Sequence, residues 1–134
     1  MDLSNAVKGC MPSVVTVFAP STDVFVNIRR GVATKIDNSG SGFLIDHAGH
    51  IITNHHVVKP EYAKHITVVF ADGQKHQATY VGGSLEADIA VLKIKPFEGM
   101  KPANMSLIPP EWGQQVFAIG FPKEYLFSVS KGIV

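Results

Sequence analysis

Four histidines, His47, His50, His55 and His56, fall within ten residues, and three aspartates, Asp46, Asp72 and Asp88, lie beside or after them. Side chains of these types support two chemistries. A metal ion needs several ligands converging on one point, backed by further hydrogen bonds. His47 and His50 sit in a turn-like stretch, and the adjacent His55 and His56 would point to opposite faces of a strand, which is poor spacing for one ion. The second chemistry is acid–base. An imidazole titrates near neutrality and, oriented by a carboxylate, can take the proton of a hydroxyl that is otherwise a weak nucleophile. On the residues alone, His47, His50, His65 and His76 read as solvated loop histidines.

The elements that would position such groups are mostly strands. Ser13 to Phe18 is rich in valine, and Val24, Val26 and Ile28 alternate with other residues at period two. Gly42 to Ile45 and Ile51 to Asn54 flank the hairpin loop Asp46-His47-Ala48-Gly49-His50. Ile66, Val68 and Phe70 alternate before the turn at Asp72-Gly73, and Gln77 to Val81 returns. Ile89 to Ile94, Gln115 to Ile119 and Ser128 to Val134 read as further strands. Helical signals are few. Leu3 to Gly9 predicts a short helix with Ser4 as its cap, and His55 to Lys59 predicts one turn stopped by Pro60. The stretch Pro96 to Pro110 holds four prolines and predicts a connector. Short strands punctuated by glycine and proline point to an antiparallel barrel or sandwich.

Composition narrows the function classes. The 134 residues suffice for one domain with a core, 46% are apolar and 17% charged. The net charge of +1 argues against nucleic acid as a partner, and the densest basic spot is only Arg29-Arg30. No apolar run reaches the length of a membrane span, and no signal-peptide pattern stands at the start. The single cysteine, Cys10, excludes an internal disulfide. No cofactor is expected. The final strand-like segment, Ser130 to Val134, would leave an open sheet edge, which suggests a fragment.

Five segments in order carry a resemblance: Gly40-Ser41-Gly42, Thr53-Asn54-His55-His56-Val57-Val58, Asp88-Ile89-Ala90, Ala118-Ile119-Gly120-Phe121-Pro122 and Gly132-Ile133-Val134. From about Met11 to the last residue this series resembles the HtrA/Deg trypsin-like serine proteases. The resemblance implies that His56 takes the catalytic histidine position and Asp88 the aspartate, with His55 in a variable slot. Asp46 and Asp72 rival Asp88, but both lie beside glycine or in apparent turns, where aspartate serves local hydrogen bonding. The implied fold is all-β: two six-stranded antiparallel barrels of the chymotrypsin kind with the active site between them. Residues 1–12 would form an N-terminal segment, 13–95 the first barrel, 96–113 the connector, and 114–134 the opening strands of an incomplete second barrel.

The family's nucleophile lies in a glycine-asparagine-serine-glycine-glycine motif whose amides also build the oxyanion hole. No such motif follows Asp88. Asn38-Ser39-Gly40-Ser41-Gly42 resembles it superficially but precedes His56, and is read as structural, glycine allowing close backbone approach. The expectation is therefore an endopeptidase of unfolded or damaged polypeptide whose serine lies outside this chain, the isolated chain being inactive. The family also implies a trimer or larger homo-oligomer and a bacterial envelope or organelle location. Two departures stand out. Asparagine is usual where Phe121 stands, so the loop near Gly120 is expected to be remodelled. Thr22 to Asn38 takes the place of a variable loop, with Arg29 to Ser39 as its exposed end. An inactive protease-like binding module and a histidine-cluster metal domain are the alternatives.

Overall fold

The computed structural model describes residues 3–27, 32–60, 65–123 and 126–134, with side chains described outside 21–37 and 122–125. Ile28, Arg29 and Arg30 lie outside the described residues.

Six strands close an antiparallel barrel: β1 (Val14–Asn27), β2 (Val32–Leu44), β3 (His50–Thr53), β4 (Ile66–Phe70), β5 (Lys75–Ser84) and β6 (Ile89–Ile94). The order around the barrel is β1-β2-β3-β6-β5-β4, closed by pairing of β1 with β4, as in Val15 opposite Phe70. Closure removes the free sheet edges that an open six-stranded sheet would expose. The period-two pattern sets which face points in: Val15, Val17 and Ala19 of β1, Val68 of β4 and Ala90, Leu92 and Ile94 of β6 are buried in one apolar cluster. The helix α1 (Leu3–Cys10) precedes β1, and the single turn α2 (His55–Val58) follows β3. Ser4 lies inside α1 rather than at its cap.

Residues 95–114 carry no strand or helix, in accord with the proline content. Beyond them β7 (Gln115–Lys123) and β8 (Leu126–Ile133) pair into a separate two-stranded sheet. This all-β arrangement, a six-stranded barrel followed by a second sheet, is the chymotrypsin-like fold that the sequence implied.

Two expectations fail. The stretch from Val32 to Ser39 is not a loop: it is the first half of β2, and the β1–β2 ladder continues past a register shift between Pro20 and Val24 to Asn27 opposite Val32. Backbone pairing of Val24 with Lys35 and Val26 with Ala33 carries the ladder through the polar second arm. The position near Gly120 is not a loop either. Gly120 and Phe121 lie within β7, and Phe121 is almost fully buried, stacked on Phe127 at 4.4 Å.

Phe121 also explains a buried hydroxyl. Thr16 alternates with the inward valines of β1, so it points away from the barrel interior, yet it is fully buried. Its hydroxyl donates to the Phe121 carbonyl (2.5 Å), while the Phe121 N–H donates to Ser41 Oγ (2.6 Å). Two barrel hydroxyls thus grip both backbone polar groups of one β7 residue, fixing where the second sheet sits.

Candidate active site

His56 and Asp88 meet because β3 and β6 are antiparallel neighbours. Thr53 pairs with Ala90, so the chain leaving β3 and the chain entering β6 lie at the same end of the ladder. The turn of α2 lifts His56 off the end of β3. Its Val57 and Val58 are buried, anchoring the turn to the core. Gly40 leaves room for this turn: a Cβ there would lie 2.6 Å from Val57 Cγ2. The hydroxyl of Thr53 donates to the Ser41 carbonyl (2.8 Å), tying β3 to the same segment. Glycine-serine-glycine therefore has the structural role expected of it, with Ser41 adding the bond to β7.

Asp88 precedes β6 at φ 55°, a left-handed conformation that aspartate tolerates better than most residues. Its N–H donates to the Leu85 carbonyl (3.2 Å). The carboxylate is gripped twice by one residue: the His56 N–H donates to Oδ1 (2.9 Å), and His56 Nδ1 lies 2.5 Å from Oδ2. The backbone N–H of His56, followed by its ring, holds the Asp88 carboxyl below the usual carboxylate range. An ionised carboxylate only accepts, so Nδ1 carries the ring proton and the neutral ring's acceptor is Nε2. Such a ring can take a proton from a hydroxyl placed at Nε2. The Asp88 side chain is 43% exposed. The His56 side chain is likewise 67% exposed.

The rival aspartates do what turn residues do. Asp46 Oδ1 accepts from the N–H groups of Ala48 and His50 (both 3.0 Å), and Asp72 Oδ1 accepts from the Gln74 N–H (3.0 Å). Two histidines depart from the solvated-loop reading. His50 opens β3, half-buried, with Nδ1 2.7 Å from Asp46 Oδ2, so this pair repeats on a small scale the contact between His56 and Asp88. His76 lies in β5 and stacks on Phe97 at 4.4 Å. His47 and His65 are exposed as expected. Among the described residues, no three of histidine, cysteine, aspartate and glutamate are grouped so as to hold a metal ion.

Sequence reasoning passed over Asn54. It lies just before α2, where asparagine is a favoured helix cap, and local pattern gives it no other role. Its side-chain amide instead donates to the Asp88 carbonyl (3.0 Å). A cleft of about 330 Å³ is lined by Asn54 and Ile89, the chain neighbours of the site, with Ile52, Phe43 and Cys10, and reaches Ile119 of β7; neither His56 nor Asp88 lines it.

Residues 40–134 match the model of the trypsin-like peptidase domain. The chain is 34% identical over 137 aligned residues to the serine endoprotease DegS of Escherichia coli, covering 96% of this chain and 35% of that protein. It is 37% identical to the chloroplastic Protease Do-like 1 of Arabidopsis thaliana, over 92% of this chain and 28% of that protein. A crystal structure of the serine endoprotease from Yersinia pestis superimposes on it with a TM-score of 0.80 at 30% identity, covering the whole of this chain and 44% of the other. The chain thus spans about a third of the length of the DegS protein it matches.

Proposed function

This chain belongs to the trypsin-like serine proteases of the HtrA/Deg type, and on that premise we propose that it forms the histidine- and aspartate-bearing part of an endopeptidase that cleaves unfolded or damaged polypeptides. The observation that carries the reading is the double grip of Asp88 on His56, through backbone N–H and Nδ1. In this reading His56 is the general base, acting at Nε2, and Asp88 holds its tautomer and stabilises the imidazolium that forms. Residues 13–95 are the first barrel, 96–113 the connector and 114–134 the first strands of the second, with 1–12 an N-terminal segment. The serine and the oxyanion hole come from sequence outside these 134 residues, since no glycine-asparagine-serine-glycine-glycine motif follows Asp88. The working enzyme is a homo-oligomer, and its setting is a bacterial envelope or an organelle, both by family resemblance.

The test uses a fluorophosphonate probe and casein. The full-length gene product is expected to be labelled at one serine and to cleave casein, and to lose both with His56→Ala. The isolated 134-residue chain is expected to do neither. A folded full-length product that neither labels nor cleaves would replace this reading with that of an inactive binding module. Stoichiometric labelling of the isolated chain, lost with His56→Ala, would place the nucleophile within these residues and refute the assignment of the missing half.

A further inference from the structure

We infer that Asn54 is a positioning residue: it holds the Asp88 backbone in place and thereby decides which nitrogen of His56 carries the proton. The inference rests on the proposed role of the His56–Asp88 pair.

Asn54 has cap backbone geometry, φ −91° and ψ 145°, at the start of α2, yet its side chain makes no cap hydrogen bond. An asparagine in that position ordinarily accepts from the backbone N–H of the second or third helical residue. Here the N–H of His56, second residue of α2, is satisfied by Asp88 Oδ1 instead (2.9 Å). The cap has been exchanged between segments. Asp88 caps the helix of Asn54, and Asn54 gives its amide N–H to the Asp88 carbonyl (3.0 Å).

The exchange matters because of the conformation it restrains. Asp88 sits at φ 55°, which an L-residue leaves readily unless its neighbours hold it. On the side away from Asn54, the loop is pinned by the Asp88 N–H to Leu85 and the Ala87 N–H to Ser84 Oγ (3.1 Å). The carbonyl of Asp88 is held by Asn54. Rotation of that peptide towards negative φ swings the carboxylate with it, and both bonds to His56 lengthen together. Nδ1 then loses the acceptor that keeps its proton there, and Nε2, the atom that must be free to act as base, becomes protonated in a larger share of molecules.

Nitrogen-15 and proton NMR of the 134-residue chain at neutral pH reads this directly, through the tautomer of His56 and its Nδ1–H resonance. Asn54→Ala and the equal-shaped Asn54→Asp, which lacks the donor, are each expected to shift the tautomer ratio towards Nε2–H by a factor of about 2 to 10, the worth of one net hydrogen bond. The carbon-13 titration of Asp88 moves up towards the usual carboxylate range, while that of Asp46, which has its own histidine partner, stays where it was. A merely structural role for Asn54 would move both aspartates or neither. Asn54→Ser, whose hydroxyl restores a donor, recovers part of the ratio.

Asp88→Ala separates the two levels. If the wild-type ring is Nδ1-protonated and loses that state with Asp88→Ala but keeps it with both Asn54→Ala and Asn54→Asp, the inference about Asn54 is wrong and the pair stands. If Asp88→Ala leaves the ring unchanged, the pairing itself is wrong and both fall.

Discussion

Replacing Ser41 by alanine removes one oxygen and tests how the second sheet is attached to the barrel. Ser41 Oγ accepts from the N–H of Phe121 at 2.6 Å, and Phe121 is almost fully buried, so water has little access to the orphaned donor. Leaving a buried N–H unpaired costs about 1–3 kcal/mol, more than the net worth of an ordinary hydrogen bond. The Thr53 bond to Ser41 survives because it uses the backbone carbonyl. The side chain of Thr16 can be treated in the same way. Thr16→Val keeps the shape and removes the donor to the Phe121 carbonyl. Because both hydroxyls grip one residue, Phe121, the two substitutions are expected to be non-additive, the second costing less once the first has loosened the sheet. Equilibrium urea unfolding followed by circular dichroism gives the global effect, and hydrogen exchange of the Phe121 amide gives the local one. The expected pattern is a stability loss of about 1–3 kcal/mol for Ser41→Ala with faster exchange across β7, and little change in exchange across β3 and β6. A loss within about 0.5 kcal/mol, as for an inert surface change, together with unchanged protection of Phe121, would refute the argument that these hydroxyls dock the sheet.

Other substitutions test the barrel and the site. Phe121→Ala should cost about 3–5 kcal/mol, measured by the same unfolding curves, since it empties a buried position stacked on Phe127. Gly49→Ala should cost more than about 2 kcal/mol, because φ is +96° and a Cβ would lie 2.3 Å from the Ile94 carbonyl. The hydrogen bond from the Ile94 N–H to the Gly49 carbonyl should open with it, seen as lost protection of Ile94. Acid should weaken the fold through Asp46 and Asp88, whose carboxyls are both held below the usual range by histidine N–H groups. With the folded pKa depressed, the unfolded chain binds the proton more tightly. The contribution is thus full above about pH 4 and is lost as pH falls through the folded values. Asp88→Asn should flatten that acid limb in a urea titration across pH, and an unchanged limb would contradict the assignment.

How much was legible in the sequence follows from which interactions are local. Alternation of valine and isoleucine places residues on one face of a strand regardless of partners, so β3, β4 and β6 and the inward face of β1 could be read directly. The turn aspartates Asp46 and Asp72 were legible for the same reason, since their acceptors serve backbone groups two to four residues away. His56 and Asp88 were named from ordered motifs, not from anything their own neighbourhoods compel, and they meet across 32 residues of chain. The tertiary structure decided what depends on distant partners. The polar second arm of the first hairpin is strand because it pairs with β1, and Thr16 is buried because Phe121 covers it. His76 is held by Phe97, and Asn54 gives up a local cap for a carbonyl 34 residues away. Period-two patterning records which way a side chain points. It carries no record of what arrives from elsewhere in the chain to meet it, and here those arrivals place the second sheet and set the geometry around His56.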